Sequence, residues 1–350
     1  MSLTHYTGFN GLDVATDMVV VQAGAPVYDT SVPPDSLASR SLSLTGTDIA
    51  RMQWWSGDTQ VVPSADVYLH FRMYMGANDA FNDQIRCGVA MDNTEVISVS
   101  VANNTALLTL RVAGAVVATA AVGGEVVPAT WTGNRYVLVI GGYAEGDVIS
   151  LHRRGDVLSA ALVSYTLTGA NETALTGIGL PNETRLEMVS SGSVVKFTDL
   201  CVMDPNNASG FVDPAIFTDF TVKGAVFVTD STPSDWVGTV TDIDELPASS
   251  ADFIQTEAVD AQSVYTRNNI AGLVANAYAA RFLINGVRTG TTAGTLIGVQ
   301  LDDGATSENT ATMPLAPDDT VAVYHQTPPS GGSWNPAKMD ASTASLFSRT

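Results

Sequence analysis

Positive charge is scarce in this sequence, which has 16 lysine and arginine residues against 36 aspartate and glutamate residues and a net charge of −20. Only three lysines are present, at Lys196, Lys223 and Lys338. A field of this sign repels the phosphates of nucleic acids and anionic lipid headgroups. We therefore expect no nucleic-acid partner and no role at a membrane surface.

Cysteine is equally scarce, with Cys87 and Cys201 in apolar, strand-like segments. Two distant cysteines provide neither a disulfide framework nor the closely spaced ligands of a zinc site, so two buried thiols are expected. No apolar run approaches the roughly 20 residues of a membrane-spanning helix. The N-terminus has no charged segment followed by an apolar one, so no secretory signal is predicted.

Helical periodicity is almost absent, and an alternation of apolar and polar residues takes its place. In Val67–Met75 the odd positions are apolar and the even positions are Tyr, His, Arg and Tyr. Glu95–Val101 and Leu108–Val112 alternate in the same way, and clusters of Gly, Asn and Asp separate such runs. This pattern predicts half-buried strands joined by tight turns, as in an antiparallel sandwich or barrel.

A strand predicted over Val194–Asp204 changes the parity of its apolar positions, from Val195 and Phe197 to Leu200 and Val202. A β-bulge at Thr198-Asp199 would explain the change, and so would burial of both faces. The pattern leaves both explanations open.

The length of 350 residues suits two domains. A differently patterned β-rich segment follows residue 205, so we predict a first domain over 1–205 and a second over 206–350. The best helix prediction lies near the end, where Asn335 is suited to cap a short helix that begins at Pro336.

The two halves resemble tailed-bacteriophage virion proteins, in which a concanavalin A-like (laminin-G-like) jelly roll precedes a second β-rich domain. In the first half the resemblance lies in Gly8-Phe-Asn-Gly, Tyr68–Tyr74, Ile97–Val117 and Phe197–Asp204. In the second half it lies in Ser234-Asp-Trp-Val, Leu246–Ile254, Gly272–Arg281 and Gly332–Asp340.

This resemblance implies an all-β protein, with an N-terminal antiparallel jelly-roll sandwich and a second β-rich domain that has at most one or two short helices. It also implies a structural component of the virion, either fibre-like, a minor tail protein or a capsid decoration, that acts by protein–protein assembly. Its expected partners are copies of itself, with a trimer favoured by analogy, and other virion proteins.

Catalytic chemistry is not predicted. Glycoside hydrolysis needs two carboxylates about 5–10 Å apart, and none of the predicted strands carries such a pair on one face. The nearest acidic cluster, Asp242-Ile-Asp-Glu245, is typical of an exposed loop. The histidines are scattered and the pair Asp302-Asp303 lies in a turn context, so no metal site is indicated. For His70 and His152, on polar strand faces, we expect a surface or groove position. We expect no catalytic residue, no metal and no cofactor.

One group of residues suits a host-surface glycan, which is the alternative function. Trp54 and Trp55 are followed by a strand whose polar face carries Arg72 and Tyr74. Aromatic planes stack on sugar rings, and arginine donates hydrogen bonds to hydroxyl groups. The competing interpretation is that one tryptophan lies in the core and that the other aromatic residues are cross-strand packing pairs.

Overall fold

The structure of the protein is a computed structural model. The residues that it describes are 2–7, 9, 19–32, 40–56, 59–60, 67–75, 85–102, 107–121, 135–153, 160–189, 194–204, 227–230, 236–238, 261–267, 280–286, 296–305, 307–309, 313–314, 319–325 and 328–349.

The chain divides into two compact units, Met1–Phe9 with Asp13–Lys223, and Asn10–Leu12 with Gly224–Thr350. The boundary expected at residue 205 stays a prediction, since residues 205–226 lie outside the described part of the chain.

The first unit consists of short strands and one helix. In chain order they are β1 (Ser2–Thr7), β2 (Val19–Ala23), β3 (Val27–Asp29), β4 (Ser41–Thr45), β5 (Ile49–Gln53), β6 (Trp55–Ser56), β7 (Thr59–Gln60), β8 (Val67–Met75), β9 (Ile85–Met91), β10 (Thr94–Ala102), β11 (Leu107–Val112), β12 (Ala115–Ala121), β13 (Arg135–Ile140), β14 (Val148–Arg153), β15 (Val163–Thr166), α1 (Gly169–Ile178), β16 (Glu183–Met188) and β17 (Val194–Asp204).

These strands form two large antiparallel sheets. The eight-stranded sheet has the order β15-β14-β13-β8-β17-β4-β3, and β1 also pairs with β17. The seven-stranded sheet has the order β12-β11-β10-β9-β16-β5-β2. Strands that are neighbours in these sheets are often far apart in sequence, which is typical of a jelly roll and unlike a simple meander.

The alternation in β8 explains why the two sheets pack face to face. Its odd-numbered side chains, including Leu69 and Phe71, enter one hydrophobic core together with Val99 and Leu110 from the seven-stranded sheet. The expected jelly-roll sandwich is therefore confirmed in the first unit.

Two tight turns between these strands each have two consecutive residues with a positive φ. Asp92 and Asn93, between β9 and β10, have φ values of 44° and 79°. Ala113 and Gly114, between β11 and β12, have φ values of 49° and 77°. Two consecutive left-handed residues are the backbone of a type I′ turn, whose twist matches that of a two-stranded hairpin.

Both explanations left open for the β17 parity change are correct. The pairing of β17 with β8 shifts register between Thr198 and Cys201, and Asp199 at the bulge has a φ of 49°. Residues on both faces of this strand, such as Cys201 and Val202, are buried.

Helix α1 was not expected from the sequence. Thr168 caps its first turn, because its hydroxyl accepts a hydrogen bond from the Asn171 N–H while the Asn171 side chain accepts one from the Thr168 N–H. This reciprocal capping satisfies donors that the first helical turn leaves without partners.

The second unit is also β-rich. Its elements are β18 (Phe227–Asp230), β19 (Gln262–Arg267), β20 (Ala280–Gly286), β21 (Leu296–Asp302), β22 (Ser307–Asn309), β23 (Met313–Pro314), β24 (Asp319–His325), α2 (Pro336–Ala341) and β25 (Thr343–Arg349).

Most of these strands form a sheet of order β18-β19-β25-β21-β22, in which β23 also pairs with β21, while β20 pairs with β24. Helix α2 confirms the predicted one: Asn335 caps it and Pro336 is its first residue. With antiparallel sheets and two short helices, the all-β fold class is confirmed. Within the described residues, neither helix has the length and hydropathy needed to cross a membrane.

Candidate functional site

Trp54, the first residue of the predicted glycan face, lies in the hydrophobic core. It directly follows β5 of the seven-stranded sheet, is 0% exposed, and donates its indole N–H to Thr184 Oγ1 on β16 at 2.8 Å. A tryptophan in this position stabilises the sandwich and presents no plane to a ligand. The side chain of Trp55 lies outside the described part of the chain.

Arg72 lies on β8 of the other sheet, on the face turned away from the core, and is also buried. Its guanidinium donates to the carboxylate of Asp199 at 3.2 Å. The β17 bulge brings this carboxylate to Arg72, and we interpret the pair as a structural contact below the surface.

The histidines of this face are buried too, which corrects the expectation of a surface or groove position for His70 and His152. His70 Nδ1 donates to the backbone carbonyl of Asp199 at 2.8 Å, and His152 Nε2 lies 2.8 Å from Ser150 Oγ. Burial lowers the pKa of His70 to about 3, although the carbonyl bond raises it, and the charges of Arg135 and Arg72 lower it further. His70 is therefore neutral at pH 7.

Tyr74, at the end of the same strand face, is partly exposed. Lys196 Nζ on β17 lies 5.3 Å from the centre of its ring and donates to Asp29 Oδ1 on β3 at 2.9 Å. Burial raises the pKa of Asp29, but hydrogen bonds from Lys196 and Ser31 and the charge of Lys196 outweigh it, so this pKa is below its usual value. We call Tyr74, Lys196 and Asp29 the tyrosine cluster.

The structure thus separates the three of these four predicted residues whose side chains it describes. Arg72 and Tyr74 share a strand face, one buried and one partly exposed, whereas Trp54 belongs to the opposite sheet and the core. Glycan binding itself stays a prediction, and within the predicted set Tyr74 is the described side chain that reaches solvent.

A network that the sequence did not predict lies on the outer face of the seven-stranded sheet. It alternates in charge as Arg111, Glu95, Arg86, Glu187 and Arg185, and we call it the charged ladder. Successive pairs are 3.6, 3.9, 3.7 and 3.1 Å apart. Their side chains come from four adjacent strands, β11, β10, β9 and β16.

Strand β16 corrects one expectation, since it carries two carboxylates on one face. Glu183 and Glu187 are four residues apart, and Arg185 lies between them. Residues with that spacing are about 13 Å apart along a strand, which exceeds the separation used in glycoside hydrolysis. Glu183 is also engaged with Arg51 at 2.8 Å and with the Asn93 N–H at 2.6 Å.

No group of three or more metal-ligating side chains occurs among the described residues. Asp302 and Asp303 accept hydrogen bonds from the N–H groups of Gly304 and Ala305, which confirms the predicted turn. The acidic segment Asp242–Glu245 lies outside the described residues. Cys87 and Cys201 are buried free thiols, as expected, and burial raises the pKa of both well above the usual value.

Strand β12 forms an edge of the seven-stranded sheet, and among the described strands only β11 pairs with it. Its sequence, Ala-Val-Val-Ala-Thr-Ala-Ala, has neither a charged residue nor a proline. Val116 on this strand is 54% exposed. Natural sheets usually protect such edges with charge or proline, and the described residues of β12 provide neither. We call this edge the open edge.

No protein-family model matches the sequence, and no curated protein matches it. Among solved structures, the chain is similar to the cellulose induced protein Cip1, with 15% identity over 57% of this chain and 96% of that one and a TM-score of 0.37. It is similar to the CBM2 module of the evolved Dit of Lactobacillus casei BL23 phage J-1, with 11% identity over 57% and 94% of the two chains and a TM-score of 0.34. It is also similar to lectin I-B4 from Griffonia simplicifolia, metal-free form, with 12% identity over 53% and 93% and a TM-score of 0.32.

The charged ladder was missed because its members are far apart in sequence. A signal for part of it exists in Glu183-Thr-Arg-Leu-Glu187, where charged residues occupy every second position of one strand. The sequence pattern predicts a strand over Leu186–Val189 only, which begins too late to include the charged residues 183 and 185.

Proposed function

We propose that the protein is a structural component of a tailed-phage particle, fibre-like, a minor tail protein or a capsid decoration, that acts by assembly. Its partners are copies of itself, with a trimer favoured, and other virion proteins. The tailed-phage setting rests on the sequence resemblance given above. The assembly role rests on one observation of the fold, the open edge at β12.

Charge explains why copies of the chain would meet at this edge. Each copy carries a net charge of −20, so two copies repel each other over most of their surface. Strand β12 has no charged side chain, and its unpaired backbone groups are able to extend a sheet. When a different edge strand of a second copy adds there, head to tail, the pairing gains main-chain hydrogen bonds and buries Val116 with little charge repulsion. Three such contacts close a trimer.

A non-enzymatic role is part of the proposal. The carboxylates on β16 are held by arginines, Glu183 by Arg51 and Glu187 by Arg185. A general acid or nucleophile must instead be free to exchange a proton or to attack substrate. Loss of a sugar polymer on incubation with the purified protein would contradict this part.

Light scattering after size exclusion tests the assembly role. The wild-type chain of 36.6 kDa is expected to give the mass of three copies. Val116→Lys places a charge on the open edge and is expected to give monomers. Val148→Lys is the matched control, because Val148 is also exposed, at 46%, but lies on β14, which is paired on both sides. A wild-type monomer, or a Val116→Lys protein that keeps its mass, contradicts the proposal.

Antibody labelling of intact tailed-phage particles tests the setting. Labelling at the tail, at a fibre or on the capsid is the expected result. Particles that lack the label while the host lysate contains the protein would exclude a virion component.

A second function, recognition of a host-surface glycan, is favoured by the tyrosine cluster. A partly exposed ring beside a carboxylate and an ammonium group offers both stacking and hydrogen bonds to a sugar. A glycan array probed with wild type, Tyr74→Ala and Tyr74→Phe tests it, because phenylalanine keeps the stacking plane. Binding lost in alanine and kept in phenylalanine supports this site, and no binding by the wild type removes it.

A further inference from the structure

The first unit exposes two valines on strands that end a sheet. Val116 on β12 is 54% exposed and Val27 on β3 is 53% exposed. Strand β12 ends the seven-stranded sheet, and β3 ends the eight-stranded sheet. Val148 and Leu180 are also exposed, but neither lies on a terminal strand. Exposed apolar side chains at a sheet edge mark a place where another chain is able to pack.

These two valines lie on opposite sides of the sandwich. Strand β15, at one end of the eight-stranded sheet, lies against β11 and β12 of the other sheet. At the other end, β3 is joined by residues 24–26 to β2, which ends the seven-stranded sheet. One side of the first unit therefore consists of β12 and β15, and the opposite side consists of β2 and β3. We call the second one the β2–β3 side.

Strand β2 has the properties that an added strand needs. Its sequence, Val-Val-Val-Gln-Ala, has neither a charged residue nor a proline, as in β12, and among the described strands only β5 pairs with it. The three larger sheets have six terminal strands. Three of them contain an acidic residue, which discourages pairing: Asp29 in β3, Asp230 in β18 and Glu308 in β22.

Strand β15 is the remaining terminal strand, and it also lacks charge. It lies on the same side of the sandwich as β12. Pairing of β12 with β15 would therefore join like sides of two copies around a two-fold axis, and such a contact ends at a dimer. Only β2 combines an uncharged edge with a place on the opposite side, which a head-to-tail contact requires.

Both β12 and β2 contain a β-bulge. Val117 is the extra residue where β12 pairs with β11, and Gln22 is the extra residue where β2 pairs with β5. A bulge increases the right-handed twist of a strand, which protects an edge from pairing with flat strands. A strand with the same distortion matches that twist. The bulges therefore favour pairing of these two edges with each other over pairing with an unrelated strand.

We propose that β2 of one copy pairs with β12 of the next, so that the seven-stranded sheet continues from copy to copy. The proposal rests on the assembly function given above and names the strand that meets the open edge. Neither strand carries a charge, so the main-chain hydrogen bonds form where two chains of net charge −20 repel each other least. A rotation of about 120° at each contact closes a ring of three copies.

A mixture of two blocked variants tests this pairing. Val116→Lys blocks β12, and Ala23→Lys/Val27→Lys places charges on the β2–β3 side, at one partly exposed and one exposed residue. In light scattering each variant alone is expected to have the mass of one copy. An equimolar mixture is expected to have the mass of two copies, because the intact β2 of the first variant pairs with the intact β12 of the second.

The controls separate pairing from concentration and from loss of the fold. Each variant alone is measured at the total concentration of the mixture and is expected to stay a monomer. Urea unfolding shows whether each variant is folded, and Val27→Lys alone replaces the double variant if that one is not.

The outcomes separate this pairing from the function on which it rests. A wild-type monomer, or a Val116→Lys protein that keeps its mass, contradicts assembly at the open edge and the pairing with it. If Val116→Lys is a monomer but the variant of the β2–β3 side keeps the mass of three copies, β12 meets a different strand and only the pairing is wrong. Two monomeric variants that do not combine also contradict the pairing, and a wild-type dimer indicates β15 as the partner strand.

Discussion

Asp48 fills the space that a side chain on Gly24 would need. A Cβ on Gly24, whose φ is +75°, would lie 1.7 Å from Asp48 Oδ1. The Asp48 carboxylate accepts hydrogen bonds from the N–H groups of Ala25 at 3.0 Å and Thr45 at 2.7 Å. It therefore joins the turn before β3 to the turn that follows β4.

Gly24→Ala is expected to lower the free energy of unfolding by about 2–4 kcal/mol, because it combines left-handed strain with displacement of Asp48. Gly46→Ala is the matched control, since Gly46 has a φ of +61° and a Cβ added there would meet nothing within 4 Å. Gly46→Ala is expected to lower the free energy of unfolding by only about 1 kcal/mol. Equal losses in urea unfolding would contradict the role of Asp48.

The contact between Trp54 and Thr184 predicts a measurable coupling between neighbouring strands of the seven-stranded sheet. Trp54→Phe and Thr184→Val each remove one partner of the 2.8 Å hydrogen bond. A double-mutant cycle is expected to give a coupling energy of about 1 kcal/mol. Trp54→Phe is also expected to leave glycan binding unchanged. A coupling energy near zero would mean that this bond contributes nothing to folding.

Two ion pairs of different burial are expected to contribute different amounts to the free energy of unfolding. Glu183 is almost fully buried beside Arg51, so Glu183→Gln leaves the charge of Arg51 without its partner. This variant is expected to lower the free energy of unfolding by about 2–3 kcal/mol. Lys196→Met breaks the more exposed pair with Asp29 and is expected to lower the free energy of unfolding by less than about 1 kcal/mol. Urea unfolding of both variants measures the difference, and a reversed order would contradict the assigned burial.

The buried neutral His70 predicts that stability falls in acid. Its folded pKa of about 3 lies below the ordinary value of 6.5. The unfolded chain therefore binds more protons between these values, so stability from this residue is complete above pH 6.5 and is lost as the pH falls toward 3. The slope approaches about 1.4 kcal/mol per pH unit.

His70→Gln is expected to remove this part of the pH dependence, and the difference between the two unfolding curves isolates it from the carboxylates. Parallel curves for wild type and variant between about pH 7 and pH 4 would show that His70 is not held neutral in the fold.

The sequence predicted elements whose signal is local. The alternation in Val67–Met75 located β8, and Asn335-Pro336 located α2. Helix α1 was not predicted, because its sequence lacks a helical apolar periodicity. Its evident signal is the reciprocal cap of Thr168 with Asn171.

The burial of side chains on the outer strand faces, and the pairing of charged residues between strands, were less predictable from the sequence. Alternation shows which side chains share a face, but not whether the second face is covered, so His70 and Arg72 were expected nearer the surface than they lie. The charged ladder joins Arg86 to Glu187, residues that β-sheet pairing brings together across a long stretch of sequence. Pairing of that kind follows from the topology and not from any local pattern.

Hydrogen exchange along β12 tests the assembly account most directly. In concentrated protein, the outward-facing amides of Ala115–Ala121 are expected to be protected, and dilution is expected to release them while β14 stays protected at every concentration. Fast exchange of β12 in a sample whose mass is that of an oligomer would contradict the account, because the copies would then be joined elsewhere.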